Sequence, residues 1–190
     1  MLSSQDNATL TEVSPGTPMG VFLRRFWLPA ALSSEIPTPD CPPVRVRMLG
    51  EDLIAFRDTE GHAALVQAAC PHRRTSLYWG RNELGGIRCA YHGWKFDGTG
   101  RCVDMPAEPD EASFKDKIRI TAYPCEERGG LVWAYMGPSD LLPEIPGLEW
   151  LDFPPERRYI TKRIEHANWV QAVEGGIDSA HSNYLHSTVP

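Results

Sequence analysis

Residues 70–102 read CPHRRTSLYWGRNELGGIRCAYHGWKFDGTGRC, and this stretch decides the fold of the chain. It contains two short motifs, CPH at 70–72 and CAYH at 89–92, with sixteen residues between them. Each motif places a thiol and an imidazole on one tight loop, where both groups can point at a single site. With 5 Cys and 6 His among 190 residues, composition alone rarely produces both motifs in one chain. We therefore predict one metal centre with four ligands: Cys70, His72, Cys89 and His92.

Two kinds of metal centre take two cysteines and two histidines. A structural zinc site binds all four side chains on one tetrahedral ion. A two-iron, two-sulfide cluster can instead take both cysteines on one iron and both histidines on the other. The spacing of the ligands fits both, so the spacing by itself leaves this choice open.

The sequence around these motifs predicts short antiparallel strands. VRVRML at 44–49 alternates apolar and polar residues, and DLIAFRD at 52–58 follows it after a tight turn at Gly50. WKFDGTGRCVDM at 94–105 is typical of a hairpin that turns at 97–100. We predict further strands at 63–70, 86–92, 118–124 and 131–137.

The two ends of the chain show a different pattern. Residues 1–15 are polar, and we expect them to be loose. PMGVFLRRFWL at 18–28 predicts a short amphipathic helix, since proline is accepted in the first helical turn. YITKRIE at 159–165 indicates a strand, and residues 167–186 indicate a helix that the glycine pair at 175–176 interrupts.

Composition excludes several classes of partner. The net charge of -6 argues against nucleic acid, which is bound by a basic face. No stretch approaches the roughly 20 apolar residues that cross a bilayer, and the N-terminus lacks the pattern of a secretory signal. The five cysteines are not spaced like a disulfide framework, which favours a reducing, cytoplasmic compartment. Three of them have no ligand partner at suitable spacing, and we interpret them as structural thiols: Cys41, Cys102 and Cys125.

A second group of chemically active residues occurs near the end of the chain, where Asp178, His181 and His186 lie within NWVQAVEGGIDSAHSNYLHS. On an ideal helix Asp178 and His181 are about 60° apart and share a face, whereas the two histidines are about 140° apart. The histidines can bind one ion only if the helix widens into a π-type bulge or ends between them. Taken alone, this spacing favours a structural role.

The stretch 70–102 strongly resembles the cluster-binding segment of the Rieske non-haem iron oxygenase α subunits. The pattern D-x-x-H-x-x-x-x-H at 178–186, preceded by NW at 168–169 and EGG at 174–176, resembles the mononuclear iron segment of the same family. Three further stretches are similar to its phthalate dioxygenase-like branch: GTPMGVFLRRFWLPA, PPVRVRMLGEDLIAFRD and FKDKIRITAYPCEERGGLVWAYMGP.

The resemblance implies a mainly β fold, in which a Rieske [2Fe-2S] antiparallel β-sandwich domain is followed by the start of an α+β catalytic domain. The corresponding boundaries are 1–40 for an N-terminal arm with a short helix, 41–140 for the Rieske domain, 141–158 for a Pro-rich linker and 159–190 for the truncated start of the mononuclear-iron domain.

The resemblance also implies roles for the site residues. The four ligands of the first group would hold the [2Fe-2S] cluster, and His181 and His186 would bind a mononuclear Fe(II). Asp178 would be an electron-transfer bridge to His72, or to its equivalent on a neighbouring subunit. The family's third iron ligand is a carboxylate far downstream, and no residue of this chain matches it. Glu174 belongs to the start of the motif and is not assigned as a ligand.

By the same resemblance we expect electrons from NAD(P)H through a flavin and iron–sulfur reductase, a small aromatic substrate, O2, and a homotrimer or larger ring. Two alternatives stay open: a stand-alone Rieske electron-transfer module without oxygenase activity, and a zinc-stabilised interaction domain. Trp94 is either a shield for the cluster or an ordinary core aromatic. Arg73 and Arg74 either dock an acidic electron donor or form a solvated basic pair.

Overall fold

The computed structural model describes residues 2–109 and 114–187, and most of its regular structure consists of short strands. In chain order these are β1 (Trp27–Leu32), β2 (Val44–Met48), β3 (Glu51–Arg57), β4 (Ala63–Gln67), β5 (Arg81–Glu83), β6 (Gly86–Arg88), β7 (Lys95–Phe96), β8 (Cys102–Asp104), β9 (Ala122–Tyr123), β10 (Cys125–Arg128) and β11 (Leu131–Tyr135). The α-helices are α1 (Ser4–Thr11), α2 (Pro18–Leu23), α3 (Trp169–Ile177) and α4 (Ser182–Leu185). This architecture confirms the predicted mainly β fold class.

The strands pair into three antiparallel sheets, with the orders β1-β11-β10, β2-β3-β4-β9 and β5-β6-β7-β8. The second sheet lies between the other two, because its central strand β3 is buried on both faces. Leu53 packs in one apolar cluster with Ala134 of the first sheet, whereas the next residue, Ile54, packs in another with Ile87 of the third sheet. Two buried faces explain the run of four consecutive apolar residues at 53–56 in β3.

The strands predicted between residues 44 and 137 are all present, although several are shorter than expected. The hairpin at 94–105 forms as β7 and β8, and its turn is closed by the Gly100 amide, which donates to the Asp97 carbonyl over 3.0 Å. The sequence did not indicate β1, β5 or β10. Strand β1 begins at Trp27, inside the stretch predicted as a helix, so α2 ends at Leu23. Trp27 is only 6% exposed and its strand pairs with β11, so tertiary packing overrides the local helical pattern.

Other expectations at the two ends were wrong. Residues 1–15 are not uniformly loose, because α1 forms there and the Ser3 side chain caps it by accepting from the Asp6 amide. Residues 159–165 form no strand, since no neighbouring strand pairs with this segment in the described part of the chain. The glycine pair at 175–176 does not interrupt α3, which continues to Ile177.

The Pro-rich stretch after β11 packs against the first sheet through short 3-10 turns. Leu151 lies in one of these turns and is 3% exposed, in an apolar cluster with Trp27 and Trp133. The Arg128 guanidinium donates to the Asp152 carboxylate over 2.7 and 2.8 Å. Among the described residues, no helix has the length and apolar character needed to cross a membrane.

Candidate metal centre

The first ligand loop follows β4 and is closed by its own backbone. The Cys70 amide donates to the Thr75 carbonyl over 2.9 Å, and the Arg74 amide donates to the Cys70 carbonyl over 2.9 Å. Arg74 has a φ of 61°, in the left-handed region that residues other than glycine rarely adopt. The backbone therefore turns back at Arg74 and keeps the Cys70 and His72 side chains on one loop.

The second ligand loop connects β6 to β7 and repeats the same pair of bonds. The Cys89 amide donates to the Trp94 carbonyl over 2.9 Å, and the Gly93 amide donates to the Cys89 carbonyl over 3.1 Å. Gly93 has a φ of 76°, and a Cβ atom at this position would lie 2.7 Å from Cγ of Pro106. The left-handed conformation and the lack of room for a Cβ atom therefore both favour glycine at this position.

The two thiols lie inside the protein, side by side. Cys70 is 1% exposed and Cys89 is 3% exposed, and both belong to the apolar cluster between the second and third sheets. Burial, with a smaller contribution from the neighbouring Cys89 thiol, raises the pKa of the Cys70 thiol to about 11. A thiolate pair therefore needs a cation to form here, because a bound metal deprotonates the sulfur that coordinates it.

The two imidazoles lie at the surface end of the same loops. The His72 and His92 rings are exposed, and their centroids are 4.5 Å apart. The Trp94 indole stacks on the His72 ring with a centroid distance of 4.6 Å and an interplanar angle of 8°. Trp94 itself is 8% exposed and packs in the apolar cluster that contains both cysteines. It is therefore a core aromatic that also covers one face of the His72 ring.

The ligand atoms are sorted by type, with the sulfur pair inside and the imidazole pair outside. The sorted arrangement fits a two-iron cluster, which takes sulfur ligands on one iron and nitrogen ligands on the other. A tetrahedral zinc ion would need all four side chains around one point.

The second group lies where α3 ends and α4 begins. Asp178 caps the end of α3, His181 precedes α4 and His186 follows it. The short α4 thus separates the two histidines, and their ring centroids are 5.4 Å apart. Helix α3 ends at Ile177, and α4 ends at Leu185, just before His186. The helix thus ends between the two histidines, which is one of the two arrangements that the spacing allowed, and no π-type bulge is present in this described segment.

Asp178 is held against His181 by local bonds. The Asp178 carboxylate lies 2.9 Å from Nδ1 of His181, and it accepts from the Ala180 amide over 2.8 Å. The Ala180 amide and the His181 ring hold the pKa of the Asp178 carboxyl below its usual value. Neither α3 nor α4 contains a buried residue, and Glu174 is exposed on α3. The order in this segment is therefore local.

The sequence also singles out three cysteines outside the two motifs and two arginines next to His72. Cys41, Cys102 and Cys125 are free thiols packed in apolar clusters, as predicted for structural cysteines. Arg73 and Arg74 are exposed beside the first loop. The sequence interpretation overlooked Arg88, whose side chain is 14% exposed and donates to the second loop. The sequence feature that could have indicated this role is a charged residue directly before Cys89, in a strand that is otherwise apolar.

Family models match most of the described fold. Residues 26–124 match the family described as the Rieske [2Fe-2S] domain, and residues 134–189 match the one described as LigXa C-terminal domain like. The first match covers all three sheets except for β10 and β11, and it contains both ligand loops. The second contains α3, α4 and the histidine pair.

Curated relatives resemble the chain over nearly its whole length. The phthalate 4,5-dioxygenase oxygenase subunit of Pseudomonas putida is 48% identical over 99% of this chain and 43% of its own length. The 3-chlorobenzoate-3,4-dioxygenase oxygenase subunit of Comamonas testosteroni is 45% identical over 98% of this chain and 43% of its own length. The chain thus spans less than half the length of these relatives.

Solved structures show the same fold. A structure of NdmA from Pseudomonas putida CBB5 matches with a TM-score of 0.69 and 27% identity, over 87% of this chain and 51% of that chain. A dicamba monooxygenase structure with non-heme iron and dicamba matches with a TM-score of 0.57 and 32% identity, over 66% of this chain and 38% of that chain. With the two ligand loops and the family model that contains them, these similarities show that the chain belongs to the Rieske non-haem iron oxygenases, in the phthalate dioxygenase-like branch of oxygenase subunits.

Proposed function

We propose that the chain is the electron-accepting part of an oxygenase subunit that uses O2 to hydroxylate or demethylate a small aromatic compound. The sorted pairs of buried thiols and exposed imidazoles carry this proposal, because that arrangement suits a Rieske cluster. Relatives named as a phthalate dioxygenase and a dehydrodivanillate O-demethylase support the reaction class. In this proposal the electrons come from NAD(P)H through a flavin and iron–sulfur reductase.

The proposed ligands of the [2Fe-2S] cluster are Cys70, His72, Cys89 and His92. When bound, such a cluster stores and releases one electron at a potential that its imidazole ligands raise to about -150 to +300 mV. The buried cysteines exclude water from the sulfur side of the site. The exposed histidines offer the shortest approach for an electron partner. Residues 41–140 would form this domain, after an arm at 1–40 and before a linker at 141–158.

The proposed ligands of a mononuclear Fe(II) are His181 and His186. Since Nδ1 of His181 contacts the Asp178 carboxylate, Nε2 is left free to bind a metal. Asp178 would also contact His72, or its equivalent on a neighbouring subunit of a homotrimer or larger ring. The third ligand, a carboxylate, and the substrate pocket would belong to the additional length that the relatives have.

The ligand assignment is tested with histidine variants of the purified, reconstituted protein. We expect the wild-type protein to be reddish-brown, with iron and acid-labile sulfide in about equal amounts and a Rieske electron paramagnetic resonance signal after dithionite reduction. His72→Ala should abolish that signal. The matched control is His62→Ala, because the His62 side chain is 73% exposed and lies outside both loops. A colourless wild-type protein with a single zinc ion would refute the cluster.

The bridge is tested in a complete oxygenase that includes the substrate domain. Asp178→Asn should slow single-turnover electron transfer between the two metal centres, with an unchanged cluster spectrum. Glu174→Gln is the control, since it removes an exposed carboxylate one helical turn earlier. Equal transfer rates in the two variants would remove Asp178 from the electron path.

A stand-alone electron-transfer module is the second candidate function. It is favoured by the lack of buried residues in α3 and α4, which leaves the histidine pair at the surface. The two candidates differ in oxygen chemistry. If the oxygenase proposal is right, the complete protein should consume oxygen when reductase, NADH and phthalate or chlorobenzoate are supplied. If the chain is an electron-transfer module, no substrate-dependent oxygen consumption is expected.

A further inference from the structure

A partly buried arginine, Arg88, supports the second ligand loop. Arg88 is the last residue of β6 and directly precedes Cys89. Its Nε donates to the Glu83 carboxylate over 2.6 Å, and its Nη1 lies 2.7 Å from the Asp104 carboxylate. The same Nη1 donates to the Gly93 carbonyl over 2.7 Å. One guanidinium therefore joins two acidic side chains to the backbone of the loop.

The third sheet brings these side chains together. Arg88 on β6 pairs with Lys95 on β7, which in turn pairs with Asp104 on β8, and Glu83 lies at the end of β5. Successive side chains of a strand point to opposite faces. Ile87 is fully buried in the apolar cluster, so Arg88 is directed to the other face, where the acidic side chains lie.

The contact with Gly93 completes the hydrogen bonding of the loop. The Gly93 amide donates to the Cys89 carbonyl, and the Gly93 carbonyl accepts from Arg88. Both backbone polar groups of the residue between His92 and Trp94 are therefore fixed. Pro106 packs close against Gly93, since a Cβ at this position would lie 2.7 Å from its Cγ, so the loop is bounded by Pro106 as well as by Arg88.

We propose that Arg88 is a positioning residue for the metal centre, which holds the second ligand loop in its binding conformation through the Gly93 carbonyl. This inference rests on the proposed ligation by Cys89 and His92. Arg88 also contributes a positive charge beside the loop, balanced by Glu83 and Asp104. A nearby positive charge favours the reduced cluster, which carries one more electron. Without Arg88 the Asp104 carboxylate would lose this pair and Glu83 would keep the more exposed Arg81 as a partner, so the net positive charge beside the loop would decrease and the reduction potential would fall.

The test compares Arg88→Met and Arg88→Lys with the wild-type holoprotein. The readouts are the rate of cluster loss to a chelator, the visible circular dichroism of the oxidised cluster and the reduction potential. Arg88→Met should lose the cluster about tenfold faster, since a bond from a charged donor to the loop is removed, and its potential should fall. Arg88→Lys keeps the charge but not the forked geometry. Its potential should stay near that of the wild type while cluster loss accelerates.

Arg57 provides the matched control. Its side chain is 11% exposed and donates to the Ile36 and Gly61 carbonyls and to the Glu127 carboxylate, all outside the ligand loops. Arg57→Met should lower the free energy of unfolding but leave the rate of cluster loss and the potential unchanged. If Arg57→Met loses the cluster as fast as Arg88→Met, the effect is general destabilisation and the inference is overturned.

Asp104→Asn keeps the inference testable if Arg88→Met does not fold. It removes a negative charge but retains Arg88, so the reduction potential should rise. An unchanged or lower potential would contradict the electrostatic role, and wild-type cluster loss in both Arg88 variants would contradict the positioning role. A wild-type protein without a Rieske spectrum would instead refute the proposed function, so the two failures are distinguishable.

Discussion

The two histidine-containing regions of the chain are built in different ways. In the ligand loops, Cys70 and Cys89 are almost fully buried, and both loops are anchored in the apolar cluster between two sheets. In the terminal region, Ile177 is 77% exposed and Tyr184 is 85% exposed. There the contacts that hold the histidine pair are local, chiefly the one between Asp178 and His181, although α3 also contacts α1 through Trp169. The comparison teaches that one site is organised by the core, whereas the other is organised by neighbours in sequence.

This difference has a thermodynamic consequence. A loop that the core already holds in place loses little conformational entropy when it binds a metal. A short exposed helix has a marginal stability of its own, because few bonds offset the cost of forming its first turn. We therefore expect the first site to resist perturbation elsewhere and the second to depend on additional packing. Four experiments test this contrast, and the largest effect is expected in the first.

The largest contrast is expected from the loss of one ligand in each region. Cys89→Ser should abolish the cluster completely, because a serine oxygen is a poor substitute for the soft thiolate that iron–sulfur clusters require. His181→Ala should leave the cluster spectrum unchanged. Visible absorption and electron paramagnetic resonance of the two reduced variants provide the measurement. A full cluster signal from Cys89→Ser would show that the ligand assignment is wrong.

The second contrast uses the same substitution in both regions. Ile87→Ala removes a fully buried side chain between the two ligand loops and should lower the free energy of unfolding by about 2–5 kcal/mol. Ile177→Ala removes an exposed side chain and should change it by less than about 0.5 kcal/mol. Urea unfolding followed by tryptophan fluorescence measures both values. Similar losses in the two variants would mean that α3 is packed as tightly as the third sheet.

The third experiment concerns the contact between the two ends of the chain. Nε1 of Trp169 on α3 donates to the Leu10 carbonyl of α1 over 2.9 Å. Trp169→Phe removes this bond at a cost of about 0.5–1.5 kcal/mol. Amide hydrogen exchange should therefore accelerate in α1 and α3. Trp79→Phe, at a 67% exposed position, is the control and should leave both helices unchanged. Unaltered exchange in Trp169→Phe would show that this hydrogen bond does not couple the stability of α1 to that of α3.

The smallest effect is expected at the ion pair between Glu35 and Lys162, which fixes the segment at 159–165 to the domain. Burial raises the pKa of the Glu35 carboxyl, but hydrogen bonds from Lys162 and from the Leu32 amide outweigh burial and leave the pKa below 4.5. The ion pair therefore stabilises the folded protein at pH values above the pKa that Glu35 has in the unfolded chain. This stabilisation is lost as the pH falls through the lower pKa that Glu35 has in the folded protein. The contribution is below about 1 kcal/mol.

This prediction is measured by hydrogen exchange of residues 160–163 at pH 7 and at pH 4, corrected for intrinsic rates. Protection in the wild type should decrease at the lower pH, and Glu35→Gln should be less protected at pH 7 with little further change. Glu126→Gln, an exposed carboxylate on β10, provides the comparison. A pH response in Glu35→Gln equal to that of the wild type would assign the effect to another group.

The sequence predicted most strands correctly, but it misplaced elements whose pattern is ambiguous. The stretch at 18–28 has helical spacing, yet Trp27 is taken into a strand because β11 offers a partner. The segment at 159–165 is predicted as a strand, yet no strand lies beside it among the described residues. A sheet needs a partner from elsewhere in the chain, and a local pattern contains no information about that partner.

The sequence by itself determined the identity of the two ligand motifs and the alternation of the strands, because both depend on residues that are near neighbours in the chain. Only the tertiary structure decided the sorting of sulfur from imidazole, the placement of Arg88 behind Gly93 and the burial of β3 on both faces. Each of these features joins segments from different strands or loops. Their contacts form only when the sheets pack together, so the spacing of residues within any one segment cannot specify them.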